Sequence, residues 1–411
     1  MYKLRVLICL LTLILPACSA SSQASPALSL KERQQAVNLI DPQIIQAENT
    51  LGLQLHRQLV ESGGGENVMI SPYSISTGLA LAYNGSAGET ALEMAKTLGW
   101  EGLDLEELNT YNEQLRKLLS GSDNGIQLDI ANSVWVKEGM EFKKPFLRAS
   151  KDSYNADIHS LKLCNTKTMD KINNWVEKHT RDKITHILNQ PLSEDTLSVL
   201  INVIYFNGTW QHPFSEDHTQ EQSFTRQDGS TQQVQMMRQQ YSFPYAETKN
   251  WKSIRLPYGD GRMSMLIILP SEQSSLDELQ QELWNNPSPW QQPYDYNTVD
   301  IGLPRFKVEY KQQLKTVLQN LGMKKAFQPE EADFSQMSNE LPLYISSIMH
   351  ETLIEVNEKG TEATAVTSVL VDAGSAPPSE PVTMTLNRPF FFAIEDTQSK
   401  AWLFIGSVTQ P

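Results

Sequence analysis

The sequence predicts an α+β fold, in which helices dominate the first part of the chain and strands the last third. Two patterns support this prediction: apolar residues at helical spacing early in the chain, and apolar runs of strand length that become frequent later. The two kinds of segment do not alternate regularly, which disfavours a doubly wound parallel sheet. Since no internal repeat and no Pro/Gly/Ser-rich linker follow residue 30, we expect one domain over residues 41–411.

Four segments carry the pattern of helices. Pro72 lies where a helix begins, because proline is favoured at the first helical position, and an apolar helix follows it. The other predicted helices cover Thr90 to Leu98, Leu105 to Leu119 and Asn165 to Thr180. The last two have their apolar residues on one side, which is typical of helices at the surface.

Five apolar runs predict β-strands, because runs of this length bounded by turn residues are typical of buried strands. They are Ile126 to Val136, Leu197 to Phe206, Met263 to Leu269, Thr298 to Val308 and Leu341 to Val356. The C-terminal third is therefore expected to be mostly β-structure.

The composition is that of a globular, acidic protein, with 40% hydrophobic residues. The 34 Lys and Arg residues against 48 Asp and Glu residues give a net charge of −14, which argues against binding to nucleic acid or to anionic lipid through general electrostatics. We therefore expect no nucleic-acid partner. We also expect the chain to be a monomer.

The first 18 residues have the pattern of a secretory signal. Lys3 and Arg5 precede an apolar run from Val6 to Leu15, which is too short to cross a bilayer but suits a signal's apolar region. The following residues, through Cys18, resemble a bacterial lipoprotein signal, in which the cysteine receives the lipid. We expect export of the chain, as a cell-envelope lipoprotein or as an extracellular or periplasmic protein.

Two features of this end of the chain qualify the lipoprotein interpretation. Pro16 departs from the usual pattern of such signals, and the alternative is ordinary cleavage near Ala20 with loss of Cys18. A lipid on Cys18 would be the only contact with a membrane. Residues 19–40 begin with small and polar side chains and are expected to form a flexible segment.

Only three cysteines occur, and Cys164 is the one that lies beyond the signal region. The sequence therefore predicts no disulfide framework, and Cys164 is interpreted as a small packing residue. It contains no CxxC or HExxH motif and no cysteine–histidine cluster, so neither a metal nor another cofactor is predicted.

Four blocks of sequence, in consistent order from about Leu51 to the C-terminus, resemble the serpin family of serine protease inhibitors. They are Asn67-Val-Met-Ile-Ser-Pro-Tyr-Ser-Ile-Ser-Thr-Gly-Leu-Ala-Leu; Leu200-Ile-Asn-Val-Ile-Tyr-Phe-Asn-Gly-Thr-Trp; Glu355-Val-Asn-Glu-Lys-Gly-Thr-Glu-Ala-Thr-Ala; and Asn387-Arg-Pro-Phe-Phe-Phe-Ala-Ile with Leu403-Phe-Ile-Gly-Ser-Val. The resemblance implies helices with three β-sheets and an exposed reactive centre loop at about residues 358–381. It also implies inhibition by suicide-substrate cleavage, acyl trapping of a serine or cysteine protease, and insertion of the loop into the central sheet.

The third block matches the hinge of the reactive loop, and its residues suit insertion into a sheet. Side chains two residues apart share one face of a strand, and those on one face here are all small. Such a row can enter a packed sheet without the overpacking penalty of roughly 1–3 kcal/mol that bulky side chains incur. No proline occurs between Thr361 and Ala376, as a central strand requires. The hinge is predicted to comprise Glu358, Gly360, Thr361, Ala363, Ala365 and Thr367.

The position of the reactive bond follows from the resemblance. Counting Glu358 as the first of seventeen residues gives Gly374, so cleavage is expected at the Gly374–Ser375 bond. Glycine is a poor anchor for a specificity pocket, and the alternatives Val371, Asp372, Ala373 and Ala376 remain open. Small residues here favour an elastase-like or subtilisin-like target protease, whereas Asp372 would suit a protease specific for acidic residues.

The remaining residues implied by the resemblance belong to the region where the sheet opens. They are Ser71, Ser74, Asn202 and His350, which match a polar cluster at the middle of the sheet, and Trp210, which matches a position beneath the opening. The sequence contains no GxSxG motif, so an enzyme is not expected. The alternative function is that of a non-inhibitory binding protein of the same fold, in which the loop is only a cleavable surface.

Overall fold

Two β-sheets and ten helices pack around one large apolar core in the part of the chain that the computed structural model describes, residues 30–63, 65–119, 125–339, 343–361 and 380–411. The helices are α1 (Leu30–Val37), α2 (Pro42–Gly63), α3 (Pro72–Gly85), α4 (Gly88–Leu98), α5 (Leu105–Leu119), α6 (Lys144–Asp152), α7 (Thr166–His179), α8 (Leu276–Asn285), α9 (Ser288–Gln291) and α10 (Lys315–Leu321). The strands are β1 (Val68–Ile70), β2 (Ile126–Lys137), β3 (Asp157–Leu161), β4 (Ser198–Thr209), β5 (Gln220–Thr225), β6 (Thr231–Glu247), β7 (Trp251–Tyr258), β8 (Met263–Pro270), β9 (Asp295–Pro304), β10 (Phe306–Gln313), β11 (Ser347–Asn357), β12 (Gly360–Thr361), β13 (Val382–Thr385), β14 (Phe390–Asp396) and β15 (Trp402–Val408).

The helix ends follow from local chemistry. Ser71 caps α3, because its hydroxyl accepts a hydrogen bond from the backbone N–H of Ser74 at 3.1 Å and Pro72 follows it. Asn165 caps α7 in the same way, accepting from the N–H of Thr168 at 2.8 Å. The predicted starts of these two helices therefore agree with the structure, and α5 covers the predicted residues 105–119.

The smaller sheet has the strand order β10-β11-β12-β4-β2-β3, and β11 also pairs directly with β4. One face of this sheet packs on the large core. The other face packs against α7 and the segment that follows it, where Ile172 and Val176 of the helix meet Ile201 and Val203 of β4. Both faces are covered, so most residues of the central strands β4 and β11 are buried.

The larger sheet has the order β1-β15-β14-β8-β7-β6-β9-β13, with β5 also paired to β6. The resemblance implied three sheets, whereas the ladders of the described residues form two. The cause is β6, whose residues 236–245 pair with β9 while its residues 245–247 pair with β7. One long strand thus joins two sets of strands into a continuous sheet.

The predicted strand from Thr298 to Val308 is two strands. The chain leaves the larger sheet at Pro304 and enters the smaller one at Phe306, so Arg305 lies at the crossing between β9 and β10. The predicted strand from Leu341 is also shorter than expected, since β11 begins at Ser347.

Residues 30–40, which we expected to be flexible, are folded. Residues 30–37 form α1, and Arg33 in this helix is buried with its guanidinium 2.8 Å from the carboxylate of Asp396 and 2.7 Å from the carbonyl oxygen of Leu118. An arginine with two such partners fixes the helix on the end of α5. Within the described ranges, no helix combines the length and apolar character needed to cross a bilayer.

Candidate functional site

The seam between β11 and β4 is the central feature of the smaller sheet. These two strands pair in parallel from Ser347 opposite Val199 to Leu353 opposite Tyr205. Beyond this point β12 lies between them, antiparallel to both: Thr361 pairs with Val356 on one side and with Gly208 on the other. The sheet is therefore already open at one end, and a short third strand occupies the opening.

Gly360 is required where the chain turns into this opening. Its φ angle is +143°, a conformation that residues with a side chain rarely adopt. A Cβ atom on Gly360 would lie 2.0 Å from the carbonyl oxygen of Gly208. The predicted hinge glycine thus allows the two backbones to approach each other closely.

Thr361 is the first hinge side chain inside the sheet, and it is fully buried. Its hydroxyl oxygen lies 2.8 Å from the hydroxyl oxygen of Tyr258 at the end of β7. Burial raises the pKa of Tyr258 far above its ordinary value, so its phenol stays neutral and able to donate. The side chain faces the core between the sheets, as the alternation predicted for the hinge requires.

Trp210 lies directly beneath this opening. Its ring stacks on that of Tyr258, with centroids 4.3 Å apart and planes inclined by 13°. Its indole N–H donates to the carbonyl oxygen of Asn357 at 2.9 Å, and its backbone N–H donates to the carbonyl oxygen of Lys359. Trp210 therefore holds both the end of β11 and the turn that leads into the hinge.

Glu358, the first predicted hinge residue, is buried and is held by an ion pair with Arg305, whose side chain is itself half exposed. The guanidinium of Arg305 contacts its carboxylate at 2.6–2.9 Å, and the hydroxyl of Thr219 donates to it at 2.5 Å. Burial acts to raise the pKa of Glu358, but these hydrogen bonds outweigh it and hold the pKa below its ordinary value. The turn before β12 is thus anchored by charge as well as by backbone pairing.

Four predicted residues form one buried polar cluster at the middle of the seam. Asn202 of β4 donates through its amide to the carbonyl oxygen of Ser74 at 2.7 Å and contacts the Ser74 hydroxyl at 2.6 Å. Its amide oxygen lies 2.7 Å from Nδ1 of His350 on β11, and Nε2 of His350 lies 3.1 Å from the backbone nitrogen of Ser71. The structure therefore brings Ser71, Ser74, Asn202 and His350 together, while Trp210 lies apart from them at the end of β4.

The hydrogen bonds define the state of His350. Its Nε2 accepts from a backbone N–H, so Nδ1 carries the proton that is donated to Asn202. Burial lowers the pKa of His350 to about 3, and the ring is neutral at physiological pH. Because Nε2 of His350 contacts a backbone amide of Ser71 and not its hydroxyl, the cluster is a structural latch across the seam and not a nucleophile with its base.

Sequence reasoning missed three partners in this region. Asn132 of β2 accepts from the Asn202 amide at 2.5 Å, and Tyr258 and Arg305 hold the hinge as described above. A polar residue inside the apolar run Ile126 to Val136 was a usable signal for Asn132. Neither Tyr258 nor Arg305 has a local sequence signal, because each reaches the hinge only through the tertiary fold.

The rest of the predicted hinge lies outside the described residues, namely Ala363, Ala365 and Thr367. The same is true of the expected reactive bond at Gly374 and Ser375, of the alternatives Val371, Asp372, Ala373 and Ala376, and of Cys18. Across the described ranges, no group of three or more His, Cys, Asp or Glu side chains is arranged to hold a metal ion.

Comparison with known proteins identifies the family that has this architecture. The family model "Serpin (serine protease inhibitor)" matches residues 46–411. Iripin-2 of Ixodes ricinus is 33% identical over 378 residues, covering 90% of this chain and 94% of its own. Leukocyte elastase inhibitor of Bos taurus is 32% identical over 385 residues, covering 90% of this chain and 100% of its own. The crystal structure of Tengpin, a thermophilic serpin in the native state, aligns with a TM-score of 0.82 at 34% identity, covering 90% of this chain and 95% of that one. The chain belongs to the serpin family, which is a family of protease inhibitors and not of enzymes.

Proposed function

We propose that this protein inhibits a serine or cysteine protease by presenting a bait loop that inserts into the smaller sheet after cleavage. The position of β12 is the observation that carries the proposal. Gly360 and Thr361 already lie between β11 and β4, paired with both strands. Insertion of the following residues would only extend a ladder whose first two positions are formed.

The register of β12 defines what each inserted residue would meet. If the same ladder continued, Ala363 would lie between Ile354 and Phe206, and Ala365 between Thr352 and Ile204. The small side chains of both alanines suit these positions, because larger ones would overpack the core beneath the sheet.

Further along the same ladder, Thr367 would come to lie between His350 and Asn202, whose side chains now touch across the seam. Insertion would therefore break the contact between Nδ1 of His350 and Oδ1 of Asn202. The hydroxyl of Thr367 offers both a donor and an acceptor to the two groups it would separate.

The driving force is the pairing of an extended segment with two strands. About ten new backbone hydrogen bonds at roughly 1 kcal/mol each would release on the order of 10 kcal/mol. This is comparable to the entire stability of an ordinary domain. Some 14 extended residues at roughly 3.3 Å each would carry an attached protease about 45 Å across the molecule.

Covalent trapping requires that the loop inserts before water hydrolyses the acyl bond to the protease. The protease nucleophile attacks the carbonyl carbon of the residue before the cleaved bond, an acyl bond to the protease forms, and the amine of the next residue leaves with a proton. We place this bond at Gly374–Ser375. Insertion before water attacks the acyl bond would displace the protease and distort its catalytic site, so that hydrolysis stops.

The target is proposed to be an elastase-like or subtilisin-like protease. The residues around Gly374 are small, and a relative at 32% identity is named for inhibition of leukocyte elastase. Exposure of the inhibitor to a panel of proteases, with mass spectrometry of the released fragment, identifies the cleaved bond. Cleavage after a lysine or arginine elsewhere in the chain, as the inhibitory event, would contradict this proposal.

The central experiment is the isolation of the complex. Incubation with a matched protease should yield a species of the summed mass of both proteins that survives boiling in detergent. Recovery of cleaved inhibitor together with fully active protease would exclude inhibition by this mechanism.

The alternative is a binding protein with the same fold whose loop is only a cleavable surface. The two functions differ in what cleavage does to stability. Insertion adds a strand to the smaller sheet, so the cleaved inhibitor should melt at a higher temperature than the intact chain. A melting temperature that does not rise after cleavage would favour the alternative.

We also propose export to the cell envelope with a lipid on Cys18, on the basis of the signal pattern described above. Metabolic labelling with a fatty acid should then depend on Cys18. Label that persists in Cys18→Ala would exclude this attachment, while loss of the chain from the envelope in the same variant would support it.

A further inference from the structure

The outward face of α6 carries a row of cations. Lys144, Arg148 and Lys151 are spaced by four and three residues, so they lie on one side of the helix. All three are exposed, and within the described ranges none of them forms an ion pair. Leu147 lies on the same side and is 40% exposed. We call these four residues the α6 face.

This face differs in sign from the chain as a whole, whose net charge is −14. On α7, by comparison, the exposed Lys167, Lys171 and Lys178 are interspersed with Asp170 and Glu177. On α6 the only acidic residue is Asp152, at the last position of the helix. The α6 face is therefore a local concentration of positive charge on a molecule of net negative charge.

The helix is held rigidly behind this face. Phe146 and Ser150 on its opposite side are buried, and Phe146 belongs to the large apolar core. At its end, Arg116 of α5 donates to the carbonyl oxygen of Asp152 at 2.9 Å. The three cations thus project from a fixed support, which limits the conformational entropy lost when they bind.

The C-terminal end of α6 is joined through α5 to the region where the N-terminal segment enters the folded chain. Arg33 of α1 contacts the carbonyl oxygen of Leu118, and Arg116, two residues earlier on the same helix, holds the end of α6. Eleven residues separate Cys18 from Leu30. They span at most about 40 Å, so a lipid on Cys18 would keep this side of the molecule close to the membrane.

We propose that the α6 face docks on the surface of an anionic phospholipid bilayer and orients the inhibitor there. The exposed Leu147 among the cations favours this partner over an anionic polysaccharide, because an apolar side chain flanked by cations suits the boundary between headgroups and acyl chains. Three cations and one leucine give weak binding alone. Attachment through Cys18 would raise the effective concentration of the face at the membrane and make the contact persistent.

The experiment measures sedimentation of the full exported chain with lipid vesicles, using Cys18→Ser so that no lipid anchor contributes. The chain should bind vesicles that contain phosphatidylglycerol and not vesicles of phosphatidylcholine alone. Binding should weaken as salt is raised toward ~150 mM, where charges are screened beyond about 8 Å. The protein carries no lipid anchor in the tests with either kind of vesicle. The result therefore does not depend on whether Cys18 carries a lipid in the cell.

Two variants assign the binding to the α6 face. Lys144→Glu/Arg148→Glu/Lys151→Glu should lower vesicle binding at least tenfold, whereas Lys167→Glu/Lys171→Glu/Lys178→Glu, with the same change in net charge on α7, should lower it much less. Leu147→Ser should weaken binding to vesicles and leave binding to heparin unchanged. Unaltered melting temperatures would show that all variants are folded.

Three outcomes would overturn the proposal. One is that, at low salt, the chain binds anionic and neutral vesicles equally well or binds neither of them. Another is an equal loss of binding in the α6 and α7 variants, which would indicate general electrostatics. The third is tighter binding to heparin than to anionic vesicles with no effect of Leu147→Ser, which would make a polysaccharide the partner.

Discussion

The hydroxyl oxygens of Tyr258 and Thr361 lie 2.8 Å apart, and both side chains are fully buried. Tyr258 belongs to the larger sheet and Thr361 to the strand that occupies the opening in the smaller one. The contact therefore ties Thr361, a predicted hinge residue, to the opposite sheet. Since Thr361 is already in place, the same contact is expected before and after insertion of the loop.

Tyr258→Phe should therefore destabilise the intact and the cleaved inhibitor equally. Loss of the phenol leaves the Thr361 hydroxyl without its partner and is expected to lower the free energy of unfolding by about 1–2 kcal/mol. The stoichiometry of inhibition should stay close to that of the unmodified chain. Melting curves of both forms and titration of a matched protease measure these quantities.

Thr361→Val removes the same contact from the other side and completes a double-mutant cycle. The double variant should be hardly less stable than either single variant, because the two groups act as one interaction. Additive losses would show that the hydroxyls contribute separately.

The sequence predicted elements well where one face of a segment is apolar. The run from Leu105 to Leu119 is a helix with its apolar side buried, and the run from Met263 to Leu269 is a buried strand. It did not predict β6, because this strand is rich in glutamine and half exposed and so lacks an apolar signal. The sequence also predicted β9 and β10 as one strand. The chain changes from one sheet to the other at Arg305, and this change depends on tertiary structure.

The candidate site also contains both residues that the sequence identified and residues that only the structure revealed. The residues of the polar cluster and Trp210 were identified by resemblance, and their mutual distances required the structure. Arg305 lies 53 residues before its partner Glu358, so no local pattern connects the two. The inward direction of Thr361 followed from the sequence, because side chains alternate along a strand and the face that includes Thr361 carries only small residues.

Glu48 makes stability depend on pH. Burial raises the pKa of its carboxyl group to about 8, although hydrogen bonds with Tyr111 and Ser76 act in the opposite direction. Below its ordinary pKa of 4.5 the group is protonated in the folded and unfolded chains alike. As the pH rises from 4.5 to about 8 only the unfolded chain loses this proton, so stability should fall by up to about 1.4 kcal/mol per pH unit.

Glu48→Gln should remove this fall, because glutamine does not titrate and its carbonyl oxygen can still accept from Tyr111. The gain in melting temperature over the unmodified chain should grow between pH 5 and pH 8. Glu61→Gln, on the exposed side of the same helix, is the control. A gain of equal size at both pH values would show that Glu48 does not titrate in this range.

The anchoring of α1 depends on the buried pair of Arg33 and Asp396. Arg33→Met would leave the carboxylate of Asp396 buried and without its cation, at an expected cost of about 3–5 kcal/mol. Thermal unfolding should report a lower melting temperature. Adding Asp396→Asn to this variant should recover part of the loss, since it removes the unpaired charge. Arg33→Met with an unchanged melting temperature would mean that the Arg33–Asp396 pair contributes nothing to stability.

Thr361→Arg separates insertion from docking of the protease. An arginine at this buried position would force an unpaired ion against Tyr258 or expel β12 from the seam, and either event costs several kcal/mol. The bait residues near Gly374 lie well along the chain, so the protease should still bind and cleave the same bond. The acyl bond would then be hydrolysed before insertion, and the stoichiometry of inhibition should rise by about tenfold or more, since 1.4 kcal/mol corresponds to a tenfold change.

Glu362→Arg is the matched control for this prediction. Residues alternate along a strand, so the side chain at position 362 would face away from the core after insertion, where a charge is tolerated. This variant should form the detergent-stable complex almost as well as the unmodified chain, while Thr361→Arg should be released as cleaved protein with the protease active. If the two variants trap the protease equally well, the inward direction of Thr361 has no bearing on inhibition. The proposal that residues after β12 continue its ladder would then have to be abandoned.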